Sequence, residues 1–504
     1  MRARVNNRSV ADPRTRRFRW LSWEAAAVAA ILALAAWLRL RDLGIMGFHD
    51  DQAVALRIAH DILHGDIRTV GLTSSSGAAN PPLYVYIVAL LVAIHDGATF
   101  ATVGVAVLSV VAIAMTYIAV RPRFGRTVAM TAIAVFATAP WAVFFGRYLW
   151  QQDFLPIATV SLLWAMFVVL ERDRTWVAAL VPLLFVVAIS LNLSAVALVL
   201  PIGALLVYRA RDVNWRAILA GSGLGVVLLL PWLAHNAKHG FRDFGLVVNN
   251  GRGHGGTLGT GTIEAVRWTV DLVSAGGWSF LTGAHHQGGA AWTLGRAAGI
   301  VVIVLLVVGI ATSLTRIVRD GRHPETDTAR RALLLIWLGG ICLAYVTSSR
   351  SGVGPHYLLV SYPASFLLVA LGLADVAGLL LRRRAAALAL ATAGAIATAF
   401  VAFTLSFQSF VRTHGGAAGA YLGDLRRHGR AREGGAGAQP AHRERARRVP
   451  RLGSPPGAGG DGARRHDPDP PHRRLAAAVH GAEAPLRADR GLLPALTGVR
   501  DYAP

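Results

Sequence analysis

The chain has 504 residues, 54% hydrophobic and 16% charged, with 51 Lys and Arg against 28 Asp and Glu for a formal net charge of +23. A soluble domain carries about 25% charged residues, so this composition is that of a polytopic membrane protein. One cysteine, Cys342, excludes an internal disulfide framework or a cysteine-based metal site. The positive charge, gathered in tails and short loops without a recognisable nucleic-acid-binding motif, excludes nucleic acid as partner. The only lysine is Lys238; with abundant Ala, Gly and Val, this suggests a GC-rich bacterial genome and a bacterial cell-membrane location.

Residues 1–20 form a basic tail, from Arg2 to Arg19, expected in the cytoplasm. The apolar run Trp23–Leu40 is long enough to span a bilayer. Arg39 at its end and Arg41 just beyond, without a small-residue cleavage site, make it read as a retained first helix. The loop Phe48-His49-Asp50-Asp51-Gln52-Ala53 is then outside. Carboxylates are scarce in this chain, and an ionised pair near hydrocarbon is costly unless paired or used. Residues 51–64 read as an amphipathic helix, with Leu56, Ala59, Ile62 and Leu63 on one face and Arg57, His60, Asp61 and His64 on the other. Both a helix in the membrane interface and a helix packed on the bundle fit this pattern.

Further apolar runs lie near 81–94, 98–120, 124–145, 154–170, 175–190, 193–208, 215–234, 293–315, 331–347, 357–381 and 385–410. Basic clusters fall between alternate runs: Arg121/Arg123/Arg126, Arg172/Arg174, Arg209/Arg211, Arg316 to Arg331 and Arg382/Arg383/Arg384. Placing them all in the cytoplasm puts 146–153, 235–292, 348–356 and the C-terminus outside. One parity conflict arises, because two runs lie between the external acidic loop and cytoplasmic Arg121. The run 81–94, only about 21 Å long as a helix, is short of the hydrocarbon core, and the expectation is 11–13 crossings. The transmembrane domain is read as 21–411. Residues 412–504 form a low-complexity tail that, from about 415, lacks Lys, Ile, Phe, Trp, Met and Asn and is expected to be disordered. Its composition is that of a shifted frame of a GC-rich gene, which is favoured over a functional basic arm.

The segment Asp51-Gln52-Ala53, followed by Ala59, Ile62 and Gly65, and then Pro81-Pro82-Leu83-Tyr84, resembles the first external loop of GT-C glycosyltransferases. The resemblance is to the protein O-mannosyltransferase and lipid A aminoarabinose transferase branch. It continues with Arg121-Pro-Arg-Phe-Gly-Arg126, Pro140, Gly146-Arg147, Asp153, His356-Tyr357-Leu358-Leu359 and Pro363, over roughly residues 20–410. One departure is that Gln52 stands where the family usually has Glu, and Asp50 is the alternative second carboxylate. The resemblance implies an all-α, GT-C-type membrane bundle and an inverting transfer from a polyprenyl-phosphate sugar to an extracytoplasmic glycan, lipid or protein acceptor. Asp51 is the expected general base, with Asp50 beside it. Arg147, Arg350, His356 and Tyr357 are expected to hold the donor phosphate, and Gln52, Asp153 and His285 to contact acceptor or sugar. No metal or other cofactor is expected. Trp268, Trp278 and Trp292 fit an interfacial belt or a sugar platform. The rival readings are a transporter or flippase of lipid-linked sugars and a non-catalytic partner in a cell-envelope complex. Nearly charge-free apolar runs and the lack of an evident internal repeat weigh against the transporter.

Overall fold

A computed structural model describes residues 13–45, 47–48, 50–74, 77–171, 175–246, 259–282, 288–320, 326–346 and 353–414. The expectations placed on Arg350, His285 and the tail after about 415 lie outside these residues. Among the described residues the architecture is helical, with a lone antiparallel bridge between Thr73 and Ala79. In chain order the helices are α1 (Pro13–Leu40), α2 (Asp50–Leu63), α3 (Leu83–Ile94), α4 (Ala98–Thr138), α5 (Pro140–Phe145), α6 (Leu155–Glu171) and α7 (Leu180–Leu191). They continue with α8 (Val199–Tyr208), α9 (Trp215–Lys238), α10 (Thr260–Val273), α11 (Ala290–Asp320), α12 (Thr326–Ala344), α13 (Tyr362–Leu380) and α14 (Ala385–His414). Among the described residues, seven segments are long and apolar enough to cross a membrane, and three shorter apolar ones accompany them. The protein is a multi-pass membrane protein.

α4 is a hairpin rather than one rod. Gly125 breaks it at φ +82°, a left-handed conformation that glycine adopts without the Cβ penalty. The Arg39 guanidinium reaches both Ser109 Oγ at 2.9 Å and the Ala137 carbonyl at 2.8 Å. In a continuous helix those residues would stand about 42 Å apart, so the two limbs must lie side by side. The reversal falls inside the Arg121–Arg126 cluster, where the sequence places a loop.

Two sets of contacts define opposite ends of the bundle. At the arginine end, Glu171 accepts from Arg123 at 2.7 Å and Arg330 at 2.9 Å, tying α4, α6 and α12 together. Arg331 and Arg316 converge there on Asp327 and Asp375, and Glu24, three turns into α1 where its apolar run begins, pairs with Arg121. At the other end, Asp51 meets Trp150, Tyr84 meets the Leu149 carbonyl, Trp232 donates to the Ala79 carbonyl and Trp141 to the Gly276 carbonyl.

This arrangement resolves the parity conflict. α2 and α3 run side by side: Asp51 and Tyr84, near their first turns, both meet the Leu149–Trp150 loop, while His60 and Asp96, near their ends, pair at 3.1 Å. The first limb of α4, from Ala98 to the break at Gly125 at the arginine end, is about 40 Å long, so Ala98 and the end of α3 just before it lie back at the Asp51 end, and α3 does not cross. Counting α4 as two limbs, the seven long apolar segments make eight traverses, and the shorter segments of α7 and α8 together with α12 bring the reading to eleven among the described residues. α2 buries Gln52, Ala55 and Ala59, while Leu63, expected on its apolar face, is exposed. The buried stripe is rotated toward small residues because α2 packs closely on α3.

The Trp268, Trp278 and Trp292 expectation is corrected. All three are buried. Trp278 stacks on Trp141 at 4.9 Å, Trp268 meets Trp141 edge-on, and Trp292 packs on Phe403 at 4.2 Å. They form an aromatic knot joining α5, α10 and α14, not a surface belt or platform. Aromatic pairs of this geometry are worth about 0.5–1.5 kcal/mol beyond the area they bury.

Candidate active site

The site is built on the first turn of α2. Asp50 and Asp51 are exposed there, where the helix dipole favours carboxylates. Asp51 Oδ2 accepts the Trp150 indole N–H at 3.0 Å. The Trp150 ring lies against His356 at 4.5 Å, and His356 against Tyr357 at 4.0 Å. The structure thus brings together Asp51, His356 and Tyr357 from segments about 300 residues apart in the chain, with Trp150 as the link.

The loop carrying Trp150 is fixed from below. Ala139 is non-helical and Pro140 has no N–H to offer the Phe136 carbonyl. Arg39, fully buried, supplies donors instead: Nη1 to the Ala137 carbonyl at 2.8 Å and Nη2 to those of Ala142 at 3.1 Å and Phe136 at 3.5 Å. Gly146 sits against this guanidinium; a Cβ there would come within 2.6 Å of Arg39 Nε and of Ser109 Oγ. Asp153, expected to contact substrate, is buried instead, and its Oδ2 accepts the Trp150 backbone N–H at 3.1 Å. It shapes the loop that presents the indole. Gln52 is also buried, one residue past the catalytic candidate and turned away from the exposed side of α2. Gly354 leaves room for His356, since a Cβ would meet the imidazole Cε1 at 2.7 Å.

Arg147 stands apart from this cluster. Its Nη2 donates to the Asp42 carbonyl at 2.6 Å and its Nη1 to that of Leu38 at 3.4 Å. Burial, and then the Arg41 charge nearby, pull its pKa down to about 10. It lines a cavity together with Tyr148, whose ring meets Trp150 edge-on at 5.7 Å. Among the described residues, no group of three or more His, Cys, Asp or Glu side chains is placed to hold a metal ion.

Trp150 was not singled out in the sequence. It sits between Arg147 and Asp153 in a loop already marked as external, and an indole N–H is a donor only. Which carboxylate it would meet depends on packing between α2 and the α5–α6 loop, which no local pattern encodes.

Residues 79–235 match the profile of the dolichyl-phosphate-mannose-protein mannosyltransferase family, from the segment before α3 through most of α9. Among solved structures, apo ArnT from Cupriavidus metallidurans is similar at 15% identity with a TM-score of 0.50, covering 78% of each chain. ArnT from the same organism bound to undecaprenyl phosphate is similar at 15% identity, covering 79% of this chain and 78% of that one, with a TM-score of 0.48. The Archaeoglobus fulgidus oligosaccharyltransferase AglB, in complex with an inhibitory peptide and a dolichol-phosphate, is similar at 13% identity. That likeness covers 80% of this chain and 56% of AglB, with a TM-score of 0.43. No curated protein sequence matches the chain. The class defined by the fold and the matched segment is a polytopic membrane glycosyltransferase. The resemblance to the GT-C superfamily read from the loop motifs is borne out by the family match and by the likeness to apo ArnT.

Proposed function

We propose that the protein transfers a sugar from a polyprenyl-phosphate donor to an acceptor hydroxyl at the Asp51 end of the bundle, with Asp51 as general base. The observation that carries this reading is the exposed Asp51 carboxylate, oriented by the Trp150 indole N–H at 3.0 Å, with His356 packed on that indole and Tyr357 on His356. The family description supplies the lipid-phosphate sugar as donor class. A base needs hydrogen-bond reach to the attacking hydroxyl, and an indole bound to one carboxylate oxygen leaves the other for that contact. Attack on the anomeric carbon in a single step inverts its configuration. The departing lipid phosphate needs hydrogen-bond donors or positive charge, for which His356, Tyr357 and, on the sequence expectation, Arg350 are proposed. Asp50, on the same turn, is the alternative base. The Asp51 end is proposed to face outward, because the opposite end collects the arginine clusters.

Incubating the purified chain in lipid nanodiscs with a panel of radiolabelled polyprenyl-phosphate sugars and mixed acceptors tests this. Release of polyprenyl phosphate coupled to a labelled product is the expected result. If no sugar is transferred while the protein remains folded, a transporter or a non-catalytic partner becomes the better reading.

A further inference from the structure

α1 and the segment that runs from α5 into the Trp150 loop each lend a guanidinium to the other. Arg39, in the last turn of α1 and fully buried, donates through Nη1 to the Ala137 carbonyl near the end of α4, at 2.8 Å. Through Nη2 it donates to the Ala142 carbonyl of α5, at 3.1 Å. Arg147, just past α5, reaches the opposite way. Its Nη2 donates to the Asp42 carbonyl at 2.6 Å and its Nη1 to that of Leu38 at 3.4 Å.

This exchange is not made of ion pairs. Both arginines are at most 6% exposed, and the acceptors just named are neutral carbonyls, joined for Arg39 by the Ser109 hydroxyl at 2.9 Å. A buried charge is costly unless hydrogen bonds compensate it, so these acceptors decide where each guanidinium sits. The two cations also repel each other, and each stays because it is bonded into the segment that carries the other.

Both anchors lie at the roots of the hydrogen bond between Asp51 and Trp150. Arg147 precedes Trp150 by three residues, and Asp42 precedes Asp51 by nine. Asp42 is held at φ +52°, a conformation uncommon for a residue with a Cβ, where the chain turns out of α1 toward α2. Such a conformation persists when its surroundings over-determine it, and the Arg147 bond to its carbonyl is one contact that does so. We propose that Arg39 and Arg147 are positioning residues for sugar transfer. They fix the spacing between the lead-in to α2 and the Trp150 loop, and with it the indole hydrogen bond that orients Asp51. Arg147 thus acts through Trp150 rather than on the donor phosphate. The effect on transfer rests on the transferase reading; the spacing does not.

A double-mutant cycle on the full chain in nanodiscs tests this. Arg147→Met should lower kcat about tenfold or more, because a small misplacement of a catalytic group is costly, while donor Kd stays within about twofold. In a Trp150→Phe background the same substitution should cost less than about twofold further, because the bond it positions is already gone. Arg147→Lys keeps the charge and one donor for the Asp42 carbonyl. It should fold even where the Met variant does not, and lose about threefold in kcat, again only while Trp150 is present. A second arm needs no turnover. In a Cys342→Ser background, a short bis-methanethiosulfonate should join Asp51→Cys to Trp150→Cys, and adding Arg147→Met or Arg147→Lys should cut the yield severalfold. Weaker donor binding with kcat unchanged, additive losses from Arg147 and Trp150, or an unchanged cross-link yield overturns the proposal. The cross-linking arm stands whether or not sugar is transferred, so failure here is distinguishable from failure of the transferase reading.

Discussion

The Trp150 indole is the one described side chain that donates to Asp51, and a hydrogen bond to a charged group is worth about 1.5–3 kcal/mol. Trp150→Phe keeps the ring beside His356 and Tyr148 but removes the donor. It should lower kcat/KM about tenfold or more with little change in melting temperature; unchanged transfer would free Asp51 from dependence on the indole. Asp271 gives a second residue-scale test. Burial, only partly offset by Arg267, raises its pKa from 3.8 to about 6. The folded state therefore holds this proton more tightly than the unfolded chain does. The stability contributed is fully present below about pH 3.8 and is lost as pH rises through about 6. Wild type should thus lose melting temperature relative to Asp271→Asn between pH 4 and pH 7; parallel profiles for the two proteins would contradict the shift.

At the level of helices, glycines set the close crossing of α11 and α13. A Cβ at Gly309 of α11 would run into the Leu368 backbone carbonyl of α13, and one at Gly372 of α13 into that of Leu305. Small residues let membrane helices approach this closely. Gly309→Ala or Gly372→Ala should destabilise by about 1–3 kcal/mol through overpacking, read as a lower melting temperature in detergent. An exposed glycine with open space around it, such as Gly223, is the control and should tolerate alanine. The hydrophobic runs marked these helices well, because a lipid-facing segment must be apolar along its whole length. The α4 hairpin was also legible, since Pro122, Gly125 and the arginines around them interrupt one long apolar stretch. The burial of Trp268, Trp278 and Trp292 was not. A tryptophan near a helix end reads alike whether it faces lipid headgroups or a neighbouring helix, and only the crossing of α5, α10 and α14 decides.

For the whole molecule, the alternation of arginine clusters foretold that the helix ends carrying Arg123 and Arg316 to Arg331 gather together, as the ion pairs on Glu171 and Asp375 show. The short run before α4 could not be assigned from length alone; its pairing with α2 shows that it turns back to the same end. A labelling experiment tests the orientation. In a Cys342→Ser background, Thr69→Cys and Arg383→Cys, both at exposed positions, should react with an impermeant thiol reagent from opposite sides of the membrane, Thr69 from outside. Labelling of both from one side would overturn the eleven-traverse arrangement. Of the candidate site, Asp51, His356 and Tyr357 were legible from motif order, whereas Trp150 and the supporting roles of Arg39 and Asp153 emerge only from packing. Whether Asp51 takes the acceptor proton is decided by comparing wild type, Asp51→Asn and Asp50→Asn. Single-turnover transfer and equilibrium donor binding are read in the same nanodisc preparation. Asp51→Asn should bind the polyprenyl-phosphate sugar within about threefold of wild type while losing transfer by at least the 10²–10⁴-fold typical of a removed general base, and Asp50→Asn should retain most of it. Near-normal transfer by Asp51→Asn would contradict the account.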